Sequence, residues 1–326
     1  MIGARLPGAR GWGAVSSWRA CLDAAGVRGR TERADFSAAL RYSRRTQFAA
    51  WASVRALMPP RIQPHVLAAE AVALYTDNLC DRGPAGERRQ RFEEWSGEVA
   101  AALQTGRSEH RLLRTYLHSA EALSLPRQWI DAYLAGTRID LDFPGFAGEA
   151  DFQHYVDTVS LPALMFGIAS VPRLVPEERF LSSVRLVAQG TQRTDNLTDL
   201  FEDLRNGRLA LPVCDLDRHG VTRTDLERGR DTPGVRALLE ATAGNARASL
   251  DAGQRMLGEI PPENRPFFRF LIDVFHQRLD DVAKQGPALI GRRYRDTPVA
   301  CLRLLIHSHR AGASTSPHPG HTAGRA

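Results

Sequence analysis

The chain of 326 residues is short of lysine, of paired cysteines, of long apolar runs and of glycine-rich loops. Lys284 is the only lysine, so nearly all of the 43 basic residues are arginines. With abundant alanine and glycine, this skew matches the composition of a GC-rich bacterial genome more than selection at one site. It still gives any phosphate-binding pocket a planar, two-pronged donor. The four cysteines, Cys21, Cys80, Cys214 and Cys301, lie far apart. That spacing excludes a Cys-x-x-Cys motif and predicts a reduced, cytoplasmic protein. No uncharged run approaches the ~20 residues needed to cross a bilayer. The segment from Met1 to Arg30 carries arginines but no apolar stretch of signal-peptide length.

Other absences remove whole classes of function. Without a Gly-x-Gly-x-x-Gly or Gly-x4-Gly-Lys loop, neither a dinucleotide fold nor a P-loop site is expected. None of the ten histidines falls at a zinc-binding spacing. The net charge of +6 is small and dispersed, which argues against a nucleic-acid partner.

What is present is helix-type periodicity, in a chain with enough apolar residues (43%) to bury a large core. Helices are predicted near 35–57, 63–81, 87–104, 109–122, 127–136, 149–170, 177–204, 234–257, 264–285 and 292–309. Pro59-Pro60, Gly83-Pro84, Pro126, Phe143-Pro144-Gly145, Pro212 and Pro261-Pro262 punctuate them. No alternating strand pattern and no internal repeat is visible. The expected fold class is all-α: one large helical bundle at 34–310, between a poorly ordered extension at 1–33 and a disordered tail at 311–326.

Two helices carry acidic stripes. In Asp77-Asn78-Leu79-Cys80-Asp81, Asp77 and Asp81 lie about 40° apart on one helical face, with Glu70 two turns earlier on the same stripe. The rest of that helix is apolar all round, from Val66 to Cys80, as buried helices are. Buried carboxylates need a cation or a partner. The alternative is a helix whose last turn reaches water. The second stripe is Asp195, Asp199 and Asp203, with Glu202 beside it and Leu197, Leu200, Phe201 and Leu204 opposite, a pattern equally suited to a solvated face. Together, two acidic helices facing each other across a cavity would suit magnesium, which takes oxygen ligands and bridges carboxylates to substrate phosphates.

At this point the chain resembles the squalene and phytoene synthases. Residues 192–212, QRTDNLTDLFEDLRNGRLALP, are similar to that family's second acidic motif and the Gly-Arg-x-Tyr-Leu-Pro segment after it. Asp77-Asn78-x-x-Asp81 stands where the family has Asp-Asp-x-x-Asp, and Gly136 to Leu141 with Phe152 and Tyr155 resembles its central segment. The resemblance spans about residues 35–310. It departs at Asn78 (an aspartate in the family), Leu74 (commonly arginine), Gln47-Phe48 (Ser-Phe), Ala210 (tyrosine) and Asp195 (commonly asparagine). One carboxylate has thus moved from the first cluster to the second, as if in compensation.

The resemblance implies an isoprenoid synthase-type bundle and a transferase that joins two allylic prenyl diphosphates, farnesyl or geranylgeranyl, head to head. It implies Asp77, Asp81, Asp199 and Asp203 as catalytic metal ligands with Asn78 and Asp195 auxiliary, and Arg205 and Arg208 as diphosphate clamps. It further implies Mg2+, with Mn2+ as a substitute, and NADPH only if the product is squalene. An apolar product would hold the protein peripherally at a membrane. The altered first motif leaves two alternatives: a relative that cyclises one prenyl diphosphate, or a non-catalytic paralogue.

Overall fold

The computed structural model describes residues 16–81 and 83–314, and every regular element among them is helical. The order is α1 (Trp18–Ala24), α2 (Arg30–Thr46), α3 (Phe48–Leu57), α4 (Gln63–Asp81), α5 (Ala85–Thr105), α6 (Arg111–Leu123) and α7 (Gln128–Leu141). Then come α8 (Glu149–Tyr155), a π turn (Val156–Ser160), α9 (Leu161–Ile168), α10 (Glu177–Thr198) and α11 (Leu200–Arg205). The described residues end with α12 (Val213–Arg218), α13 (Arg223–Glu227), α14 (Pro233–Gly253), α15 (Arg265–Gln285), α16 (Ala288–Gly291) and α17 (Pro298–Ser314).

Two half-bundles share α9. On one side α10, α14 and α15 bury Val184, Val187, Leu197, Leu238, Leu250, Phe268 and Ile272. On the other, α4 to α7 bury Val72, Phe92, Trp95, Tyr116, Ile130 and Tyr133. The consecutive residues Met165 and Phe166 of α9 enter the first and second core respectively. Fully burying such side chains contributes about 1.5–3 kcal/mol each. α4 is hemmed in by α2, α3, α5, α6 and α9, which explains why its sequence is apolar on every face.

Several predicted helices divide in the structure. The span 35–57 breaks at Gln47, whose φ of −142° cannot continue a helix. Within 149–170 the backbone widens to a π turn, with the Leu161 N–H reaching back to the Val156 carbonyl. Pro162, one residue on, has no N–H to give the Thr158 carbonyl, and so favours this wider turn. The freed carbonyl meets Gly136 of α7, where a Cβ would come within 2.6 Å of the Thr158 oxygen. α7 therefore lies unusually close to this turn. The expected start of the last helix at 292 moves to Pro298, and α16 precedes it.

The extension is shorter than predicted. Residues 16–33 hold α1 and the start of α2, and Cys21 and Val27 are fully buried. The Cys21 thiol reaches the Gln63 side chain at 3.4 Å, and Arg55 ties α3 to the Ser16 carbonyl at 2.6 Å. Periodicity missed this because a seven-residue helix is too short to display it. Residues 1–15 lie outside the described part, as does the predicted tail from 315 onward, while 311–314 complete α17.

Candidate active site

α4 and the α10–α11 pair run their acidic ends into one cavity of about 980 Å³. Asp77, Asp81, Asp140, Asp199, Glu202 and Asp203 line it, and among the described residues Arg88 and Arg208 are the arginines on its walls. A second lobe of about 460 Å³ shares Asp77, Asp140, Asp199, Asp203 and Arg208 and adds Asp195, Gln192 and Tyr155. Two stripes more than a hundred residues apart in the chain are thus walls of the same space.

Local packing fixes each wall. Phe166 stacks on the Tyr133 ring at 4.9 Å and 11°, which aims the Tyr133 hydroxyl at Asp77 for a hydrogen bond of 3.1 Å. The Trp95 indole N–H donates to Thr76 at 2.8 Å and pins α5 beside the same turn. On the facing wall α10 ends at Thr198, and the slight unwinding at Asp199 (φ −93°, ψ −2°) starts α11. α11 closes with Gly207 at φ +74°, a conformation that suits glycine, and the Arg208 N–H returns to the Asp203 carbonyl at 2.8 Å. This turn sends the Arg208 side chain over Phe143 and onto Asp140, with a hydrogen bond of 3.0 Å. Asn196 donates to the Ala210 carbonyl at 2.8 Å, so the backbone of the segment after α11 is tied to α10.

The electrostatics are those of crowded carboxylates. Enclosure by protein pushes the Asp77 carboxyl up to about 6, against the Tyr133 hydrogen bond, and the charges of Asp81 and Asp140 add to the rise. Asp199 rises to about 6 through burial and repulsion from Asp203. Burial also raises Asp203, with Arg208 pulling the other way. Such a site wants positive charge. Among the described residues, no three acidic, histidine or cysteine side chains converge closely enough to close a metal site by themselves. Burial and the charges of Asp77 and Asp81 push the Cys80 thiol on the same wall up to about 12.

The sequence-predicted residues divide. Asp77, Asp81, Asp199, Asp203 and Arg208 come together as expected. Asn78 does not: its amide donates to the Tyr42 hydroxyl at 3.0 Å and the Leu74 carbonyl at 2.7 Å, toward α2. It sits about 100° around α4 from Asp77, the angle between neighbours on any α-helix. Asp195 reaches the cavity but pairs with Arg278 of α15 at 3.1 Å, which offsets its charge. Burial lifts its carboxyl to about 7 against that attraction. An exchange of one metal ligand for another between positions 78 and 195 therefore has no geometric basis. Arg205 is exposed, lies over the Phe201 ring and is absent from the cavity walls, so the structure does not bring this expected clamp to the site.

Asp140 was underrated by sequence. It accepts hydrogen bonds from Tyr155 at 2.7 Å and Arg208 at 3.0 Å, and its charge acts on both Asp77 and Asp203. Its place in the segment resembling a family landmark was the available signal. Arg88 and Arg278 carried none, being two arginines among many.

With this geometry in hand, comparison with known proteins is direct. The family model described as squalene/phytoene synthase matches residues 43–300. The bifunctional protein CrtB/UppS of Streptomyces coelicolor is 26% identical over 274 residues, covering 84% of this chain and 48% of the relative. A phytoene synthase of Thermus thermophilus is 43% identical over 107 residues, 33% of this chain and 37% of that one. A presqualene diphosphate synthase of Rhodopseudomonas palustris is 29% identical over 158 residues, 46% of this chain and 53% of that one. The matched region thus spans about half or less of these relatives' lengths. In fold, the chain is similar to the squalene synthase HpnC of Alicyclobacillus acidocaldarius (TM-score 0.73, 21% identity, 81% of this chain and 98% of that chain). It is also similar to a dehydrosqualene synthase (TM-score 0.77, 18% identity, 87% and 98%). Among the described residues no helix is long and apolar enough to cross a membrane.

Proposed function

Because the chain belongs to the squalene/phytoene synthase family, we propose that it joins two allylic prenyl diphosphates head to head in the cavity between α4 and α10–α11. The observation that carries this reading is that Asp77 and Asp81 share one cavity with Asp199 and Asp203. A divalent cation, magnesium or manganese, would be held by those four aspartates and would supply the charge that makes a diphosphate a leaving group.

The chain's own side chains do the rest. Arg208, half-buried and already poised between Asp140 and Asp203, holds phosphate oxygens bidentately. Arg88, on the cavity wall with its guanidinium donating to the Cys80 carbonyl at 3.1 Å, adds a second guanidinium. Tyr133 keeps the Asp77 carboxylate turned into the cavity. One substrate loses its diphosphate, the double bond of the second attacks the allylic cation, and loss of a proton closes a cyclopropane. That intermediate ionises in turn, and its cation rearranges before it is quenched.

The test is incubation of the protein with farnesyl or geranylgeranyl diphosphate and magnesium, followed by extraction and mass spectrometry. A hydrocarbon or diphosphate with twice the substrate's carbon count supports the reading. Products of unchanged carbon count support the single-substrate alternative.

A further inference from the structure

An aromatic wall closes the acidic cavity at its Arg208 end. Behind that wall lies an outer pocket of about 630 Å³, rich in apolar side chains, with the exposed Ile139 and Val213 among them. Phe143 and Arg208 line this pocket and both lobes of the acidic cavity. The Phe143 ring has a fixed place. Phe146 meets it edge-to-face at 4.8 Å and 74°, and Tyr155 does so at 5.5 Å and 72°. Its backbone N–H donates to the Asp140 carbonyl at 3.2 Å, which ties it to the end of α7. The Val213 and Cys214 N–H groups donate to the Phe146 and Ala147 carbonyls at 3.0 and 3.1 Å. The loop that carries Phe143 is thereby joined to the segment that follows Arg208.

Arg208 stands between the two spaces. Its guanidinium donates to Asp140 at 3.0 Å and lies 3.8 Å from Asp203, while its Nε–H is buried without a hydrogen-bond partner. The Phe143 ring covers a face of that guanidinium, with its centroid 4.8 Å from Cζ, inside the range of a cation–π contact. Asp140 holds the group by an edge that phosphate oxygens also need. The ring takes a face and leaves the edge donors free. Resting on the function proposed above, we infer that Phe143 is a positioning residue, which keeps the Arg208 guanidinium on the catalytic side of the wall and turned edge-on to the incoming diphosphate. Without the negative face of the ring, Arg208 gains a second resting place in the outer pocket, whose wall it already forms.

The test is a double-mutant cycle in the full-length protein, read as kcat/KM for magnesium-dependent diphosphate release from farnesyl or geranylgeranyl diphosphate. Phe143→Leu keeps an apolar side chain and removes the ring. It should lower kcat/KM about tenfold, chiefly by raising KM, and weaken inhibition by inorganic diphosphate by a similar factor. Phe143→Tyr keeps the ring face and should stay within about threefold of wild type. In an Arg208→Ala background, Phe143→Leu should cost less than about twofold more, because the ring then has no cation to hold. Additive losses around the cycle overturn the inference, as does a Phe143→Leu protein with the kcat/KM of wild type. If Phe143→Leu does not fold, trifluorophenylalanine at position 143 decides, since fluorine nearly preserves the shape while withdrawing charge from the ring face. A loss of about fivefold then supports the inference and an unchanged kcat/KM overturns it. The functional reading fails in a different way. If the wild type releases no diphosphate with magnesium, or Arg208→Ala leaves kcat/KM unchanged, the clamp itself is wrong and its positioning residue falls with it.

Discussion

Arg278 donates to the Asp195 carboxylate at 3.1 Å and to Asp296 at 2.8 and 2.9 Å, so one guanidinium ties the second acidic helix to the segment before α17. Asp195 is thereby a counter-ion at the cavity rim. Asp195→Asn should leave the magnesium concentration for half-maximal diphosphate release within about twofold of wild type. Stability should change by less than about 1 kcal/mol, because burial already raises this carboxyl against Arg278 and the guanidinium keeps Asp296. A magnesium titration beside a urea melt checks both, and a fivefold higher metal requirement would return Asp195 to the ligand set.

The two arginines after Asp203 should behave differently. Arg208 lines the cavity and Arg205 lies over Phe201 outside it. Arg208→Ala should lower kcat/KM for diphosphate release by roughly a hundredfold, or about 3 kcal/mol in the transition state. Arg205→Ala should stay within about twofold. Equal losses would mean that the segment around Gly207 rearranges when substrate binds.

How far this was legible in the sequence follows from the range of each contact. Helix periodicity, proline breaks and the two acidic stripes are local signals, and they placed α4 and one helix over 177–204, carrying Asp77, Asp81, Asp199 and Asp203, while the break at Asp199 that divides the second into α10 and α11 was not legible. The direction of Asn78 was also available, since adjacent residues on a helix point about 100° apart. The partners of Asp140 and Asp195 were not available. Arg208 comes from 68 residues away and Arg278 from 83, and only tertiary packing, of α7 against the segment after α11 and of α15 against α10, brings them in. The state of Glu70, whose two buried carboxylate oxygens have no hydrogen-bond partner, was equally invisible, because a carboxylate on an apolar helix acquires partners, or fails to, through its neighbours.

Crowded carboxylates should trade stability for function. Asp77→Asn and Asp203→Asn should each depress magnesium-dependent diphosphate release at least a hundredfold. In metal-free buffer both variants should melt no lower than wild type, because each relieves repulsion within the cluster. Thermal melts with EDTA, paired with a phosphate-release assay, read both quantities. Loss of folding together with loss of activity would point to a structural role.

Glu70 predicts a specific pH response. Its carboxyl is raised from an ordinary 4.5 to about 7 in the folded chain, so the folded state holds the proton more tightly than the unfolded one. Stability from this group is full below about pH 4.5 and is lost as pH rises toward 7, by roughly 2–3 kcal/mol. Glu70→Gln should remove that loss, so the gain in stability over wild type should be larger at pH 8 than at pH 4.5. Denaturant midpoints of the two proteins at both pH values decide it, and a constant difference would show that Glu70 is not held protonated.

The most direct test of the central claim is the stoichiometry of diphosphate release. Pure protein is given a limiting amount of prenyl diphosphate with magnesium, and inorganic diphosphate is counted against extracted product. Head-to-head joining through both ionisations predicts two diphosphates for each product molecule of doubled carbon count, with release abolished by Asp77→Asn or Asp203→Asn. One diphosphate for each product of unchanged carbon count would contradict it and make the cavity a single-substrate site.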